Sequence, residues 1–309
     1  MRYSTLAPAK VNLVLRVGPL RADGYHELMT LLVPLDLGDG IEVDVARRAG
    51  PVTCEVPGQP ALSGPGNLAA RAAVAFRDRF GVANAIHVRI DKRTPVTAGL
   101  GGGSSDAAAV LRCLAKAFRV RDRRALHAIA LSIGSDVPFF LGRGPAWAGG
   151  RGERLVPADV PRLDLVLVYP TDPALAIRAG EAYRWLDELR QGEPVRSPGR
   201  PGRFALSRAG NDLEPACLAR RPGIAPLLGL LRGAKARVAM MSGSGPTCFG
   251  VFSGRGAARA AALTMEEEGR RFEIRVFAVR TVRGQPRVTA WRSPRSASSR
   301  STKRSSRPT

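Results

Sequence analysis

The sequence predicts an α+β fold made of two domains. Its 309 residues, 44% of them hydrophobic, are enough for two ordinary domains with their own cores. In the first half, strands with alternating apolar residues are mixed with helices that have apolar residues at helical spacing. The second half has the order strand, helix, strand, strand, helix, strand, which is typical of a split βαβ sandwich. We therefore expect an N-terminal domain over residues 1–153, a C-terminal domain over 154–284 and a disordered tail over 285–309.

The first predicted strand, residues 7–17, carries two polar side chains on one face. Apolar residues alternate along it, and this period of two places Lys10 and Asn12 side by side. Taken alone, a lysine in a strand more often points to solvent than into a site. A turn at 23–24 follows, and then Tyr25 and His26. This pair could be half-buried packing, or a flat surface with a hydrogen-bonding imidazole that suits a planar base.

Two further strands and a helix complete the predicted structure before the central motif. An apolar strand over residues 28–35 and an alternating strand over 41–45 are separated by Asp39-Gly40, which we interpret as a turn. Residues 46–66 are rich in proline and glycine and predict a loop. Asn67 is the predicted N-cap of a helix over residues 68–80.

The central motif is the stretch PVTAGLGGGSSDAAA at residues 95–109, which lies between an alternating strand and a helix. Its glycines allow φ > 0 and a close approach of the backbone to a ligand. The free N–H groups of the first helical turn can then bind an anion. Ser104 or Ser105 can cap the helix and offer a hydroxyl to phosphate or Mg²⁺.

This stretch fits neither of the two best-known phosphate motifs. Ser104 stands where a Rossmann motif needs its third glycine, and no lysine is present for a Walker A loop. A flexible loop before an ordinary helix is the plainer alternative. Four glycines in five residues between a strand and a helix favour a phosphate-binding loop of a third kind.

An aspartate follows the next predicted helix, residues 124–133. Asp136 lies in a connecting turn and precedes apolar residues. Such an aspartate is usually a helix or turn cap. A carboxylate at the edge of an apolar pocket is also what a general base requires. Farther along, a second glycine turn, residues 240–247, lies between two strands.

The net charge of +22 suits polyanionic ligands. Seven of the basic residues and no acidic ones lie after residue 284, in a segment rich in serine that we expect not to fold. With 6% aromatic residues and no RRM, zinc-finger or helix-turn-helix pattern, we expect no nucleic-acid partner beyond a weak contact through this tail. No apolar run of about 18 residues and no signal peptide occur, and the four cysteines lack metal-ligand spacing. We therefore expect a cytoplasmic protein with reduced thiols and no membrane partner.

Three motifs, in this order, resemble those of the GHMP kinases, the family of galactokinase, homoserine kinase and mevalonate kinase. They are APAKVNL at residues 7–13, PVTAGLGGGSSDAA at 95–108 and MSGSGPTCF at 241–249. RADGYHEL, LDLGD, GSDVPFFL and NDLEPA resemble the branch of the family whose substrate is an alcohol with a diphosphocytidyl group. The resemblance covers about residues 6–283. It implies a ribosomal-protein-S5-like N-terminal domain, a ferredoxin-like C-terminal domain and an active site between them.

The resemblance also implies ATP and Mg²⁺ as cofactors, a small-molecule substrate and a role for each matching residue. Lys10 and Asp136 match the catalytic pair, and Asn12 matches a residue near the reacting hydroxyl. The predicted ATP-binding residues are Asn67, Lys92, Pro95, Val96, Thr97, Ala98, Gly99, Leu100, Gly101, Gly102, Gly103, Ser104 and Ser105, with Ser105 also the predicted Mg²⁺ ligand. Tyr25, His26 and Tyr183 match residues that hold the cytosine.

One segment departs from the family pattern. Arg178 and Ala179 stand where close relatives usually carry Ser-Thr, which puts a hydroxyl contact to the substrate in doubt. Three alternatives stay open: a nucleic-acid-binding protein, a kinase of the mevalonate or homoserine type, and a relative without activity. The pair Tyr25-His26 favours a substrate with a cytosine.

Overall fold

The computed structural model describes residues 1–193, 195, 197, 199 and 201–291, without the side chains of residues 270–272. The strands are β1 Arg2–Leu20, β2 His26–Ala49, β3 Val52–Glu55, β4 Asn84–Asp91, β5 Ala146–Gly150, β6 Arg154–Pro157, β7 Asp164–Pro170, β8 Gly210–Asn211, β9 Val238–Met241, β10 Cys248–Phe252, β11 Ile274–Arg280 and β12 Thr289–Trp291. The helices are α1 Leu68–Phe80, α2 Gly102–Ala117, α3 Arg123–Ile133, α4 Val137–Leu141, α5 Ala179–Arg190, α6 Glu214–Arg220, α7 Ala225–Gly233 and α8 Arg255–Phe272. No helix in these ranges is both long enough and apolar enough to cross a membrane.

The strands form two sheets, as expected for an α+β fold. The larger sheet has the order β12-β1-β2-β4-β3, with β5 and β6 added next to β2 and the short β8 parallel to β1. The smaller sheet has the antiparallel order β11-β7-β10-β9. Numbered within its own domain, this is the order fourth, first, third, second. The chain passes from β7 to β9 through α5, α6 and α7, of which α7 packs on β9 and β10, and from β10 to β11 through α8, which packs on the same sheet. The prediction of a split βαβ unit is confirmed.

Strand β2 runs without interruption from His26 to Ala49, so the turn predicted at Asp39-Gly40 is wrong. Asp39 is fully buried, and its Oδ1 accepts hydrogen bonds from the amides of Arg93 and Thr94, both at 2.7 Å. At Gly38 a Cβ would lie 2.3 Å from the carbonyl oxygen of Ala7. The glycine here therefore permits a close approach of two strand backbones, which is the other common reason for glycine in a strand.

N-caps were predicted for the helices on either side of β4, and one of the two is confirmed. Asn67 caps α1, because its Oδ1 accepts from the amide of Ala69 at 2.8 Å. Helix α2 begins earlier than expected: Gly101, with φ +68°, is its N-cap. The prediction that Ser104 or Ser105 caps this helix is wrong, because both lie within its first turn. A glycine can adopt the left-handed conformation that this entry into the helix requires.

Three hydrophobic cores connect the two sheets and their helices. One lies between the larger sheet and α1 to α4, and a second between the smaller sheet and α5 to α8. The third contains Val11 and Leu13 of β1 together with Leu165 and Leu167 of β7. Alternate residues of β7 thus face different cores, which explains why this strand is apolar throughout. All four cysteines are buried and free.

The domain limits differ from the expected ones at both ends of the second domain. Strand β6 still pairs with β5 in the larger sheet, so the chain leaves that sheet after Pro157 rather than at residue 153. In the tail, Thr289–Trp291 pairs with Arg2–Ser4 of β1, and Thr5 donates to the carbonyl of Arg287 at 3.2 Å. The expected disorder from residue 285 is therefore wrong for this part, because β1 offers an open edge with unpaired backbone groups. Residues 292–309 of the predicted tail lie outside the described residues.

Candidate active site

Two cavities meet at the glycine-rich loop between β4 and α2. One, of about 540 Å³, is lined by the loop together with Asn67 and Lys92. The other, of about 580 Å³, is lined by side chains of both domains. Gly99, Gly101 and Ser104 line both cavities. Each volume is in the range of small-molecule sites, so the arrangement can hold two ligands on opposite sides of one loop.

The loop exposes amide groups at the start of α2. The first intrahelical bond runs from the amide of Ser105 to the carbonyl of Gly101 at 2.9 Å. The amides of Gly102, Gly103 and Ser104 therefore have no partner inside the helix, and all three residues line the first cavity. Together with the positive end of the dipole of a 16-residue helix, they form a site for an anion.

Lys10 lies at the junction of the two cavities with its side chain buried. Its ammonium donates to Asn12 Oδ1 at 2.7 Å and to the carbonyl of Gly99 at 2.8 Å. Asp136 Oδ2 is 3.9 Å from the same nitrogen. Burial lowers the pKa of Lys10, and the Asp136 carboxylate opposes this effect. Since an ammonium has three donors, one remains for Asp136 or for a ligand.

Asp136 stands directly before α4 but does not cap it. Its side chain makes no hydrogen bond to the helix and is 39% exposed, and it lines the second cavity. The apolar residues after it are buried, and Phe140 lies 3.0 Å from where a Cβ of Gly101 would stand. The short helix thus fixes where Asp136 stands relative to the loop, while the carboxylate stays free to accept a proton.

The third motif closes on the glycine loop from the C-terminal domain. Ser242 Oγ donates to the carbonyl of Gly99 at 3.0 Å, the same oxygen that Lys10 binds. A Cβ at Gly99 would stand 2.0 Å from the carbonyl oxygen of Ser242. Asn211 Nδ2 donates to the carbonyls of Met241 and Gly243 at 2.9 and 2.7 Å. Only glycine fits at residue 99, because the two domains touch there backbone to backbone.

Lys92 is held in a buried cluster at the side of the first cavity. Its ammonium contacts Asp39 Oδ2 at 2.6 Å and Asp106 Oδ2 at 2.7 Å. Burial lowers the pKa of Lys92, but the two carboxylates outweigh this effect and the pKa is raised. Asn67 also lines the cavity, with its amide engaged by α1 and by the carbonyl of Leu62 at 2.8 Å. Both side chains have structural partners, so their contact with adenine stays a prediction.

The two serines of the loop differ in their access to the cavities. Ser104 lines both, whereas the hydroxyl of Ser105 is buried and has no hydrogen-bond partner among the described residues. Nor do three or more His, Cys, Asp or Glu side chains of the described residues group as metal ligands. A Mg²⁺ ion would fit here only if phosphate oxygens supplied most of its ligands, as is common for this ion. Ser105 as the protein ligand of Mg²⁺ stays a prediction, and Ser104 is the serine with access to both cavities.

The far end of the second cavity carries the residues predicted to hold a base. The rings of His26 and Tyr183 stack with centroids 5.4 Å apart and planes at 15°. Tyr25 is 48% exposed at the cavity rim, and the guanidinium of Arg151 lies 5.0 Å from its ring centroid. Burial, and to a lesser extent the Asp136 carboxylate, raise the pKa of the Tyr183 phenol, which therefore stays neutral.

The segment that lacks the usual Ser-Thr pair still starts a helix. The amide of Arg178, directly before α5, donates to Glu181 Oε2 at 2.9 Å. Glu181 thus supplies half of a capping box without a hydroxyl residue at the N-cap. Ala179 and Gly180 line the cavity here, so this stretch offers a ligand no side-chain hydroxyl.

The structure brings all predicted catalytic and base-binding residues to one cavity: Lys10, Asn12, Tyr25, His26, Asp136 and Tyr183. Sequence reasoning missed the residues that hold them in place. Asn211 fixes the second glycine turn, and NDLEPA was the available signal for it. Asp39 and Asp187 bind Lys92 and His26, and no spacing in the sequence indicates those contacts.

Family comparisons agree with this geometry. The family described as "GHMP kinases N terminal domain" matches residues 67–144, and "GHMP kinases C terminal" matches residues 185–271. A relative named 4-diphosphocytidyl-2-C-methyl-D-erythritol kinase, from Anaeromyxobacter dehalogenans (strain 2CP-C), is 71% identical over 313 aligned positions and covers 100% of both chains.

Solved structures give the same result. A crystal structure of 4-(cytidine 5'-diphospho)-2C-methyl-D-erythritol kinase is 35% identical, with a TM-score of 0.72 and coverage of 90% of this chain and 98% of the other. Homoserine kinase from Cytophaga hutchinsonii has a TM-score of 0.70 at 17% identity, covering 93% of this chain and 97% of the other. At 17% identity, the similarity to homoserine kinase shows only that the two proteins share a fold.

Proposed function

The chain belongs to the GHMP kinase family, and we propose that it phosphorylates the 2-hydroxyl of 4-diphosphocytidyl-2-C-methyl-D-erythritol with ATP. This reaction belongs to the non-mevalonate isoprenoid (terpenoid) pathway. The relative of this name that is 71% identical covers 100% of the chain, the solved structure covers 90% of it, and the family is one of small-molecule kinases. The observation that carries the proposal is the junction of two cavities at the glycine loop, with Lys10 and Asp136 beside it.

The first cavity is proposed to hold ATP. Its loop amides would bind the phosphates, since these amides have no partner within α2 and line the cavity. The positive end of the helix dipole lies at the same place. Mg²⁺ bound to the phosphates would neutralise part of their charge. Ser104 is the side chain best placed to reach it, because it lines both cavities. Phosphoryl transfer depends mainly on such placement and charge compensation.

Asp136 and Lys10 are proposed to act on the alcohol. Asp136 has no capping bond, lines the second cavity and is partly exposed, so it can accept the hydroxyl proton during attack. Lys10 would stabilise the negative charge that develops on the attacking oxygen, using the donor that Asn12 and Gly99 leave free. Its attachment to the carbonyl of Gly99 ties the charge of the lysine to the loop that holds the phosphates.

The cytidine end of the substrate is proposed to lie at the far end of the second cavity. Tyr25, His26 and Tyr183 line it and provide aromatic faces and a hydrogen-bonding imidazole. Mevalonate and homoserine lack a base that would use these groups. The aromatic cluster therefore favours the cytidyl substrate over those of the other kinases in the family.

A coupled ATPase assay tests the proposal with three alcohols: the diphosphocytidyl substrate, mevalonate and homoserine. We expect turnover with the first alone. Asp136→Asn should lower kcat by a factor of about 10² to 10⁴, the usual contribution of a general base, while ATP binding persists. Glu188→Gln, an exposed exchange on the outer part of α5, is the matched control. Turnover of mevalonate or homoserine without turnover of the cytidyl substrate would refute the proposal.

A further inference from the structure

The imidazole of His26 is held by two residues of one helix. Its Nε2 lies 2.9 Å from Asp187 Oδ1, and its ring stacks on Tyr183. Tyr183 and Asp187 are four residues apart in α5 and so lie on the same face. His26, the first residue of β2, is 8% exposed, so its ring is largely buried against its neighbours. The helix thus fixes both the plane of the ring and one of its nitrogens.

The contact with Asp187 determines which nitrogen of a neutral imidazole carries the proton. A carboxylate accepts hydrogen bonds and donates none, so Nε2 must be the donor in this contact. In a neutral ring, the other nitrogen, Nδ1, is then an acceptor. No lysine or arginine of the described residues lies within ion-pair distance of Asp187, so no cation competes with His26 for its carboxylate there.

We propose that Asp187 is a positioning residue that sets His26 to accept a hydrogen bond from the 4-amino group of cytosine. This inference rests on the proposed function, because it assumes a cytidyl substrate in the second cavity. Cytosine presents a donor at its 4-position, where uracil presents a carbonyl acceptor. An acceptor at Nδ1 pairs with the 4-amino group of cytosine and repels the 4-carbonyl group of uracil. Asp187 thereby makes the enzyme selective for cytosine through its hold on His26.

The test compares binding of CDP and UDP by calorimetry in the full-length wild type and in Asp187→Ala. We expect the wild type to prefer CDP and the variant to lose about five- to tenfold of that preference, the effect of one hydrogen bond. KM for the diphosphocytidyl substrate should rise by a similar factor, while kcat and KM for ATP stay unchanged. Asp187→Asn should keep a larger part of the preference, because its amide oxygen can still accept from Nε2.

NMR of the protein labelled with ¹⁵N-histidine reports the tautomer of His26. A purely structural role of Asp187 would leave that tautomer unchanged when Asp187 is replaced. The chain has three histidines, so His26 can be assigned by substituting the other two. We expect a protonated Nε2 in the wild type and a mixture of both tautomers in Asp187→Ala. Asp187 is about half exposed, so its replacement should leave the melting temperature nearly unchanged. Glu188→Ala, the adjacent acid that binds Arg220, is the control.

Two failures can be told apart. If the wild type prefers CDP and Asp187→Ala keeps that preference, or if His26 keeps one tautomer in the variant, the inference is wrong and the proposed function stands. If the wild type neither binds CDP nor phosphorylates the cytidyl alcohol, the proposed function fails, and the inference fails with it.

Discussion

Replacing Gly99 by alanine should separate the two halves of the active site. Gly99 has φ +71°, and its Cβ would lie 2.0 Å from the carbonyl oxygen of Ser242 and 3.0 Å from the amide of Gly245. The first distance is more than an ångström short of an ordinary contact, and both neighbours are backbone atoms that no side-chain rotation can move. The second glycine turn must therefore shift by about an ångström away from the loop.

That shift changes the position of Lys10, because its ammonium and Ser242 both bind the carbonyl of Gly99. A displacement of this size near reacting groups costs about a factor of 10² in rate. We expect kcat with the diphosphocytidyl substrate to fall by about that factor in the coupled assay, while the protein stays folded. Gly256→Ala is the control, since a Cβ there meets nothing within 4 Å. A folded Gly99→Ala enzyme with kcat within threefold of the wild type would contradict this account of the junction.

Three further predictions concern single residues. Burial lowers the pKa of Lys10, so log kcat should decline on the alkaline side at a pH below the ordinary lysine pKa of about 10.4; a flat profile up to that pH would argue against a cationic role. Tyr25→Ala should raise KM for the cytidyl substrate and leave KM for ATP unchanged, since stacking on a base contributes about 1–3 kcal/mol; equal KM values would exclude stacking. Asn211→Ala should lower the free energy of unfolding by about 2–4 kcal/mol in urea titrations, because it removes the partners of two buried carbonyls and of the Leu213 amide; a loss below about 1 kcal/mol would show that water replaces the side chain.

Local sequence patterns predicted the elements of this fold better than the contacts between them. The strand alternation around Lys10 and Asn12 correctly placed the two side chains next to each other, at 2.7 Å. The cap at Asn67 was equally predictable, because a cap depends on residues two or three positions away. The wrong prediction of a turn at Asp39-Gly40 was likewise made from neighbouring residues alone. What keeps this pair in a strand is the buried contact of Asp39 with residues 93 and 94, more than fifty positions along the chain.

In the candidate site, too, local motifs were predictable and contacts between distant segments were not. Motifs with the residues that line the two cavities could be found in the sequence, since each of them is a short continuous segment. The residues that hold these motifs in place come from other segments, as Asp187 does for His26 and Asn211 for the second glycine turn. Their partners are set by the packing of α5 and β8 on the rest of the molecule. Periodicity and spacing carry no information about such pairs, so structure was needed to find them.

Strand β1 explains why the site can be built from both domains and still hold its geometry. Its residues contribute to all three cores: Tyr3 to the first, Leu15 to the second and Val11 to the one between the sheets. Lys10 lies in the middle of this strand, and its backbone amide donates to the carbonyl of Leu100 at 2.9 Å while its side chain binds Gly99. The lysine is therefore held to the glycine loop by main chain and side chain, on a strand that both domains bury. In the proposed reaction, the ammonium of Lys10 would therefore stand beside the loop before any ligand binds, and no rearrangement would be needed to bring its charge there.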